Sequence, residues 1–323
     1  MVVLRKPPLP RMRRLSQRAN KEQFRSNSKR RRKALLSLQR SSTLPDTFAI
    51  RTTKRMGIGS FVIARFGMKK RYMGLFERLI DIGASGLGHG QPFASKAVEE
   101  MAMHESLSKV GGRAITIFDV GANRGDYSEL ALRNTKAGDR RIYAFEPDPA
   151  VAAELVARFP NAEGLVVVTK ALSDKPGKAP FYKQERDRIS SLHDASSKPQ
   201  THGPQVVKEV VEVELDSVDG FCAANGIDHI DILKVDTEGH DHLVLKGASR
   251  MIAEGRIGSI QFEFSEMNIT SGATFMMFWE QLSPGFQLYR MCTDGLYPID
   301  HYNALRLELY YVVNFFAIAK NKG

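Results

Sequence analysis

Between Ile115 and Glu146 the chain reads I-T-I-F-D-V-G-A-N-R-G-D-Y-S-E-L-A-L and then, after a short polar stretch, R-I-Y-A-F-E. Few folds accept that order. Ile115, Ile117, Phe118 and Val120 form a run apolar on both faces, as in a parallel strand covered above and below. Gly121-Ala122-Asn123-Arg124-Gly125 is a turn whose glycines tolerate positive φ and close backbone approach. A helix is predicted at once, with Asp126 and Glu129 in capping-box spacing. The second apolar run, Ile142 to Phe145, ends in Glu146. Strand, glycine turn, helix, strand and acid make a βαβ unit, the start of a doubly wound α/β sheet.

That unit carries its own ligand chemistry. A carboxylate at the end of the second strand suits the two hydroxyls of an adenosine ribose, and a helix N-terminus presents unpaired N–H groups. A dinucleotide fingerprint would place a glycine where Asn123 stands. Asp119, two residues before the first glycine, repels a pyrophosphate and favours a cationic ligand. S-adenosylmethionine, with a sulfonium, an ammonium and a ribose, meets these conditions better than NAD.

Charge separates the chain into parts. The net charge of the 323 residues is +11, but residues 1–40 hold 14 Lys or Arg against Glu22 alone, so the remainder is nearly neutral. Lys29-Arg30-Arg31-Arg32-Lys33 lies among Ser, Gln and Asn, a composition that does not bury enough surface to offset ordering entropy. Residues 1–44 are therefore expected to be a disordered basic tail. Its readings are an arm for nucleic acid or an anionic surface, an organelle transit peptide, or a segment ahead of a later start. Cys222 and Cys292 match no metal spacing and suit reduced thiols in the cytoplasm, with an organelle as the alternative. No apolar stretch approaches the roughly 18 residues of a membrane span.

Residues 45–110 read as a helical lead-in. Phe61–Phe66 and Tyr72–Ile82 have helical apolar spacing, Gly83–Gly90 interrupts it, and Phe93–Lys109 resumes it. Residues 111–323 read as the catalytic domain. Asp148-Pro149 starts a helix with Asp as N-cap. Leu165–Thr169, Ile230–Val235 and Ile257–Phe264 are further core strands, and Phe286–Met291 and Leu309–Ala319 complete the set. Ala179–Tyr182 and Val207–Leu215 form an antiparallel insertion around a loop with Ser190, Ser191 and Leu192.

D-V-G-A-N-R-G, F-E-P-D-P, A-L-S-D-K-P-G, S-S-L and I-D-I-L-K-V-D-T-E-G-H-D-H-L-V-L-K-G-A together resemble the FkbM-type methyltransferases over roughly residues 113–320. The resemblance implies a Rossmann-like doubly wound sheet of seven mostly parallel strands, the last antiparallel. It implies S-adenosylmethionine-dependent methyl transfer to a hydroxyl, on a sugar, glycan or natural-product scaffold. It places Asp119, Gly121, Asn123 and Gly125 at the methionine end of the cofactor, Glu146 at the ribose and Asp174 near the adenine.

Ligands of open parallel sheets sit beyond the carboxyl ends of the strands. Asp236, Glu238, His240 and Glu263 are thus the expected catalytic group. Asp236 or His240 is the candidate general base, and Glu238 and Glu263 would orient the acceptor. Gly239 breaks the alternation among the Asp, Glu and His residues, so no metal site is expected. The alternative from another class is a non-catalytic or RNA-associated binding module that uses residues 1–40 as its anchor.

Overall fold

The computed structural model describes residues 58–90, 95–184, 190–196 and 206–320. The basic tail, 1–44, and the first part of the lead-in lie outside these. The chain divides into two compact units, Met1–Met68 and Lys69–Gly323. The first contributes one described helix, Ile58–Phe66.

The second unit is an α/β fold around a large sheet. Its strands are β1 Ile115–Val120, β2 Arg140–Phe145, β3 Leu165–Val168, β7 Ile230–Val235, β8 Ile257–Phe264, β9 Phe286–Cys292, β10 Gly295–Ile299 and β11 Val313–Ala319. Between β3 and β7 the chain adds β4 Ala171–Leu172, β5 Gly177–Gln184 and β6 Val207–Asp216, a separate small sheet in the order β4-β6-β5. The large sheet runs β10-β9-β11-β8-β7-β1-β2-β3. Neighbours from β3 through β8 are parallel, while β11 is antiparallel to both β8 and β9.

Seven strands are expected and eight are present among the described residues. The additional one, β10, returns along β9 through a tight turn at Thr293-Asp294. Residues 295–299 escape a sequence reading because two consecutive exposed positions, Tyr297 and Pro298, blur their alternation. The edge strand is thus β10, and the antiparallel last strand lies inside the sheet.

Sequence also explains the departures among the helices. The helix expected to stop at Gly83 extends over Met73–Gly86. A helical glycine costs only about 1 kcal/mol, and the chain first needs positive φ at Gly88. The helix Asp126–Asn134 has no capping box. Its N-cap is Gly125 in the left-handed region, and Asp126 and Glu129 instead share Arg158, at 2.8 and 2.7 Å. Asp148 does cap the helix Pro149–Arg158, accepting the Ala150 N–H at 2.9 Å. The helical stretch behind β7 breaks into Asp241–Lys246 and Ser249–Ala253, because the Gly247 carbonyl turns to accept the Asp219 N–H at 2.9 Å.

The chain leaves β1 for β2 and β3, then crosses back to β7 on the other side of β1. That reversal opens a crevice at the carboxyl ends of β1 and β7. Val120 pairs with Val235, so Gly121 and Asp236 leave the sheet side by side. A Cβ on Gly121 would stand 1.9 Å from the Asp236 carbonyl oxygen, and its φ is +77°. Both facts demand glycine. Gly121→Ala is predicted to lower stability by at least about 3 kcal/mol, whereas Gly74→Ala, in open space on a helix, stabilises by up to about 1 kcal/mol. Urea denaturation of the two variants checks both values.

Candidate active site

Lys234 stands at the centre of the site, on a β7 strand buried along its whole length. A buried ammonium needs compensating charge. Its Nζ lies 3.3 Å from Asp119 Oδ1 and 3.3 Å from Asp236 Oδ2. The Tyr127 ring centroid is 5.5 Å away. Burial opposes the charge, but Asp236, Asp119 and Glu99 outweigh it and raise the lysine pKa. Asp119 is fully buried, and its other oxygen accepts the Ser128 hydroxyl at 2.7 Å.

A cleft of about 310 Å³ opens in front of this pair, at the small end of the range for ligand pockets. Gly121, Asn123, Glu146, Leu172, Asp236 and Glu238 are among its walls. Glu146, at the end of β2, is held from behind: its oxygens accept the N–H groups of Asn123 and Asp148, each at 2.9 Å. Burial pushes its pKa up to about 7, against the lowering effect of those two bonds. Asn123 takes a left-handed φ of 47°, which asparagine tolerates and which aims its N–H at Glu146.

Asp236, Glu238 and His240 follow β7, as the strand-end rule requires. Glu238 has φ 53°, an uncommon conformation for a glutamate and one concentrated at functional sites. Gly239 follows at φ +91°, where a Cβ would meet the Met267 carbonyl at 2.7 Å. Glu238 therefore leaves the loop into the cleft rather than capping the next helix, whose N-cap is His240. Glu263 reaches the same cleft from β8. Burial, then Glu263, Asp236 and Asp241, raise the Glu238 pKa; burial, then Asp236 and Asp241, raise that of Glu263.

His240 belongs to a different network. Its Nε2 meets the Ser173 hydroxyl at 2.9 Å and its Nδ1 the His193 Nε2 at 3.1 Å. Burial lowers the pKa of His240 to about 3 and that of His193 to about 4, so the pair is neutral at physiological pH. Ser191 adds a bond from Oγ to the Glu238 carbonyl at 2.8 Å. Together these fasten the loop between β5 and β6 to the post-β7 loop, with Ser190 and Leu192 on the cleft wall.

Three of the expected cofactor residues stand off the cleft. Asp119 lies behind the wall as the counter-ion of Lys234, and Gly125 caps the helix. Asp174 points outward to Lys246, at 3.1 Å, leaving Lys170, Ala171 and Leu172 as the cleft-lining residues of that segment. Sequence reasoning missed Tyr127, Glu99 and His193. Tyr127 is 5% exposed, lines the cleft and has a hydroxyl with no hydrogen-bond partner among the described residues. Its helical position beside the glycine turn was the one available signal. Glu99 arrives from the helix Ser95–Leu107, far away in sequence, and accepts from Gln261 at 3.2 Å.

A second, more open cleft of about 1220 Å³ adjoins the first, with room for more than a drug-sized ligand. Glu99, Arg290 and Cys292 line it, and so do Asp236 and Glu263, which belong to both. Among the described residues no group of three or more His, Cys, Asp or Glu is placed to hold a metal.

S-adenosylmethionine fits the first cleft on structural grounds. A rigidly held carboxylate is available for the ribose, Leu172 and Leu192 supply apolar surface, and the carboxyl groups of Asp236, Glu238 and Glu263 make part of the wall polar.

The chain is similar to known methyltransferases. The model of the methyltransferase FkbM domain matches residues 119–288. The 2-O-methyltransferase NoeI of Sinorhizobium fredii is 25% identical over 194 residues, 56% of this chain and 75% of NoeI. The hexuronic acid methyltransferase AglP of Haloferax volcanii is 28% identical over 137 residues, 42% of this chain and 51% of AglP. The crystal structure of the methyltransferase FkbM from Methylobacillus flagellatus KT aligns with 65% of this chain and 45% of its own, at 16% identity and a TM-score of 0.37.

The Lys234 account predicts the outcome of a charge-removal cycle. Lys234→Met, which strands Asp119 in the interior, is expected to cost about 3–5 kcal/mol. Adding Asp119→Asn is expected to restore part of that loss. Thermal and urea unfolding of the two single variants and the double variant measures the coupling.

Proposed function

The chain belongs to the FkbM methyltransferase family, and from that premise we propose that it methylates a hydroxyl oxygen of a sugar or glycan, with S-adenosylmethionine as donor. One observation carries the reading: Asp236 and Glu263 form part of the wall of both clefts. A donor in the smaller cleft and an acceptor in the larger one meet at these carboxylates. The relatives lend support for the acceptor, since one is named for 2-O-methylation and the other for a hexuronic acid.

The bound cofactor supplies an electrophilic methyl group on a sulfonium. Everything else falls to the protein. Glu146 takes the ribose hydroxyls, held in place by the Asn123 and Asp148 N–H groups. Glu238 and Glu263 receive acceptor hydroxyls and fix their orientation. Alignment of the acceptor oxygen is worth about 7–11 kcal/mol of the barrier, and strained Glu238 and its rigid loop serve that end.

The proton of the acceptor hydroxyl goes to Asp236. It is the better base than His240 on geometry, because both imidazole nitrogens already face Ser173 and His193. Lys234, 3.3 Å from the Asp236 carboxylate, holds that group in place at the cleft wall. As the carboxylate is neutralised, Asp119 retains the lysine, so no charge is stranded.

Two outcomes test this reading. Asp236→Asn is expected to slow methyl transfer by about 10²- to 10⁴-fold, the usual value of a positioned base, with S-adenosylhomocysteine affinity close to wild type. Glu146 is protonated below about pH 7 in the free protein, and its anionic form is the stronger acceptor of ribose hydroxyls. Calorimetric affinity for S-adenosylhomocysteine should therefore rise from pH 6 to pH 8. Glu146→Gln should weaken it by about 10- to 100-fold and remove the pH dependence; a variant that binds like wild type contradicts the ribose assignment.

A further inference from the structure

The helix Met73–Gly86 is the least explained surface of the molecule. It has no buried residue. Leu75, Leu79, Ile80 and Ile82 are exposed to 54, 52, 64 and 67%, and Met73 to 46%. At 100° per residue these side chains and Phe76 fill a face about 180° wide, with Glu77, Arg78 and Asp81 opposite. Monomeric proteins rarely leave such a contiguous apolar surface without a partner.

Charge and position indicate the partner. Lys69, Lys70 and Arg71 lead directly into the helix, the last with its guanidinium 4.7 Å from the Tyr72 ring centroid. With Arg78 they outnumber Glu77 and Asp81 by four to two. An apolar face joined to a basic cluster and an interfacial tyrosine is the pattern of a helix lying in the plane of a lipid surface. No described helix is long and apolar enough to cross a membrane, so this one would lie on the surface.

The same helix also forms part of the larger cleft. Its last residues, Ser85 and Gly86, line the cleft together with Leu87 and Gly88. Arg290 ties that turn to the core, donating to the carbonyls of Leu87 at 3.3 Å and Arg306 at 2.5 Å. The cleft wall continues the apolar character outward: Leu87, Tyr297, Tyr311 and Val312 line it and are exposed to 39, 65, 37 and 38%. Cleft and helix thus share one apolar border.

We propose that the helix Met73–Gly86 docks the protein on an anionic lipid surface and that the larger cleft takes its acceptor from that surface. The second half rests on the methyl-transfer reading; the first does not. A sugar acceptor would then be one carried on a lipid, with its headgroup entering between the Leu87 turn and Tyr311.

Flotation of the full chain with phosphatidylcholine vesicles, with and without phosphatidylglycerol, tests the docking. Wild type should float with the anionic vesicles. The triple variant Leu75→Glu, Leu79→Glu, Ile82→Glu should float at least tenfold less, with its melting temperature and S-adenosylhomocysteine affinity unchanged. Equal flotation of the two overturns the proposal and assigns any binding to the basic N-terminal residues. A wild-type dimer that the variant turns into a monomer also overturns it, in favour of a second copy on this face.

Loading from the surface has its own readout. Cys292 lines the larger cleft while Cys222 is buried, so a bulky hydrophilic maleimide reports on the cleft mouth. Anionic vesicles should slow its reaction with Cys292 several-fold in wild type and not in the triple variant. An unchanged wild-type rate overturns this second half. Loss of S-adenosylhomocysteine binding would strike the methyl-transfer reading and leave the flotation result standing.

Discussion

The rest of the site depends on a buried ammonium between two carboxylates. Lys234 is a charged residue in a strand with no exposed position, and alone it would be prohibitively costly there. Asp119 from β1 and Asp236 after β7 compensate it from both sides at equal distance. That arrangement requires β1 and β7 to be neighbours in register, and the doubly wound topology supplies this through its reversal at β1. One ion triad thereby joins the fold to the chemistry. The same contacts that satisfy the interior set the position of the carboxylate facing the cleft.

Around the triad the site divides between rigid and strained parts. Glu146 is rigid because two backbone N–H groups hold its oxygens. Glu238 is strained, at a φ that glutamate seldom adopts, and is kept there by Gly239 beneath Met267 and by the Ser191 bond to its carbonyl. The neutral His193–His240 pair joins the described part of the β5–β6 loop to the loop after β7 without adding charge. His240 anchors that loop through its contacts to Ser173 and His193.

Much of this was legible in the sequence. The strand–glycine–helix–strand order gave the βαβ unit and placed Glu146, because periodicity and turn chemistry are local. Asp236, Glu238 and Glu263 were found by the strand-end rule, which needs only correct strands. What was not legible depends on distant packing. Asp119 looked like a ligand contact, but the lysine that claims it lies far along the chain. Asp174 looked like an adenine contact, but Lys246 draws it outward. Glu99 and His193 come from segments whose local pattern says nothing about a cleft. The eighth strand is hidden by Pro298 and by a hairpin exposed along one edge.

The most direct test of the central claim is a crystal structure with S-adenosylhomocysteine bound. The account predicts the ribose hydroxyls on the Glu146 carboxylate, the sulfur facing Asp236, and an open path from that sulfur into the larger cleft past Glu263. Adenosine bound in the larger cleft, or a sulfur turned away from Asp236, would contradict it.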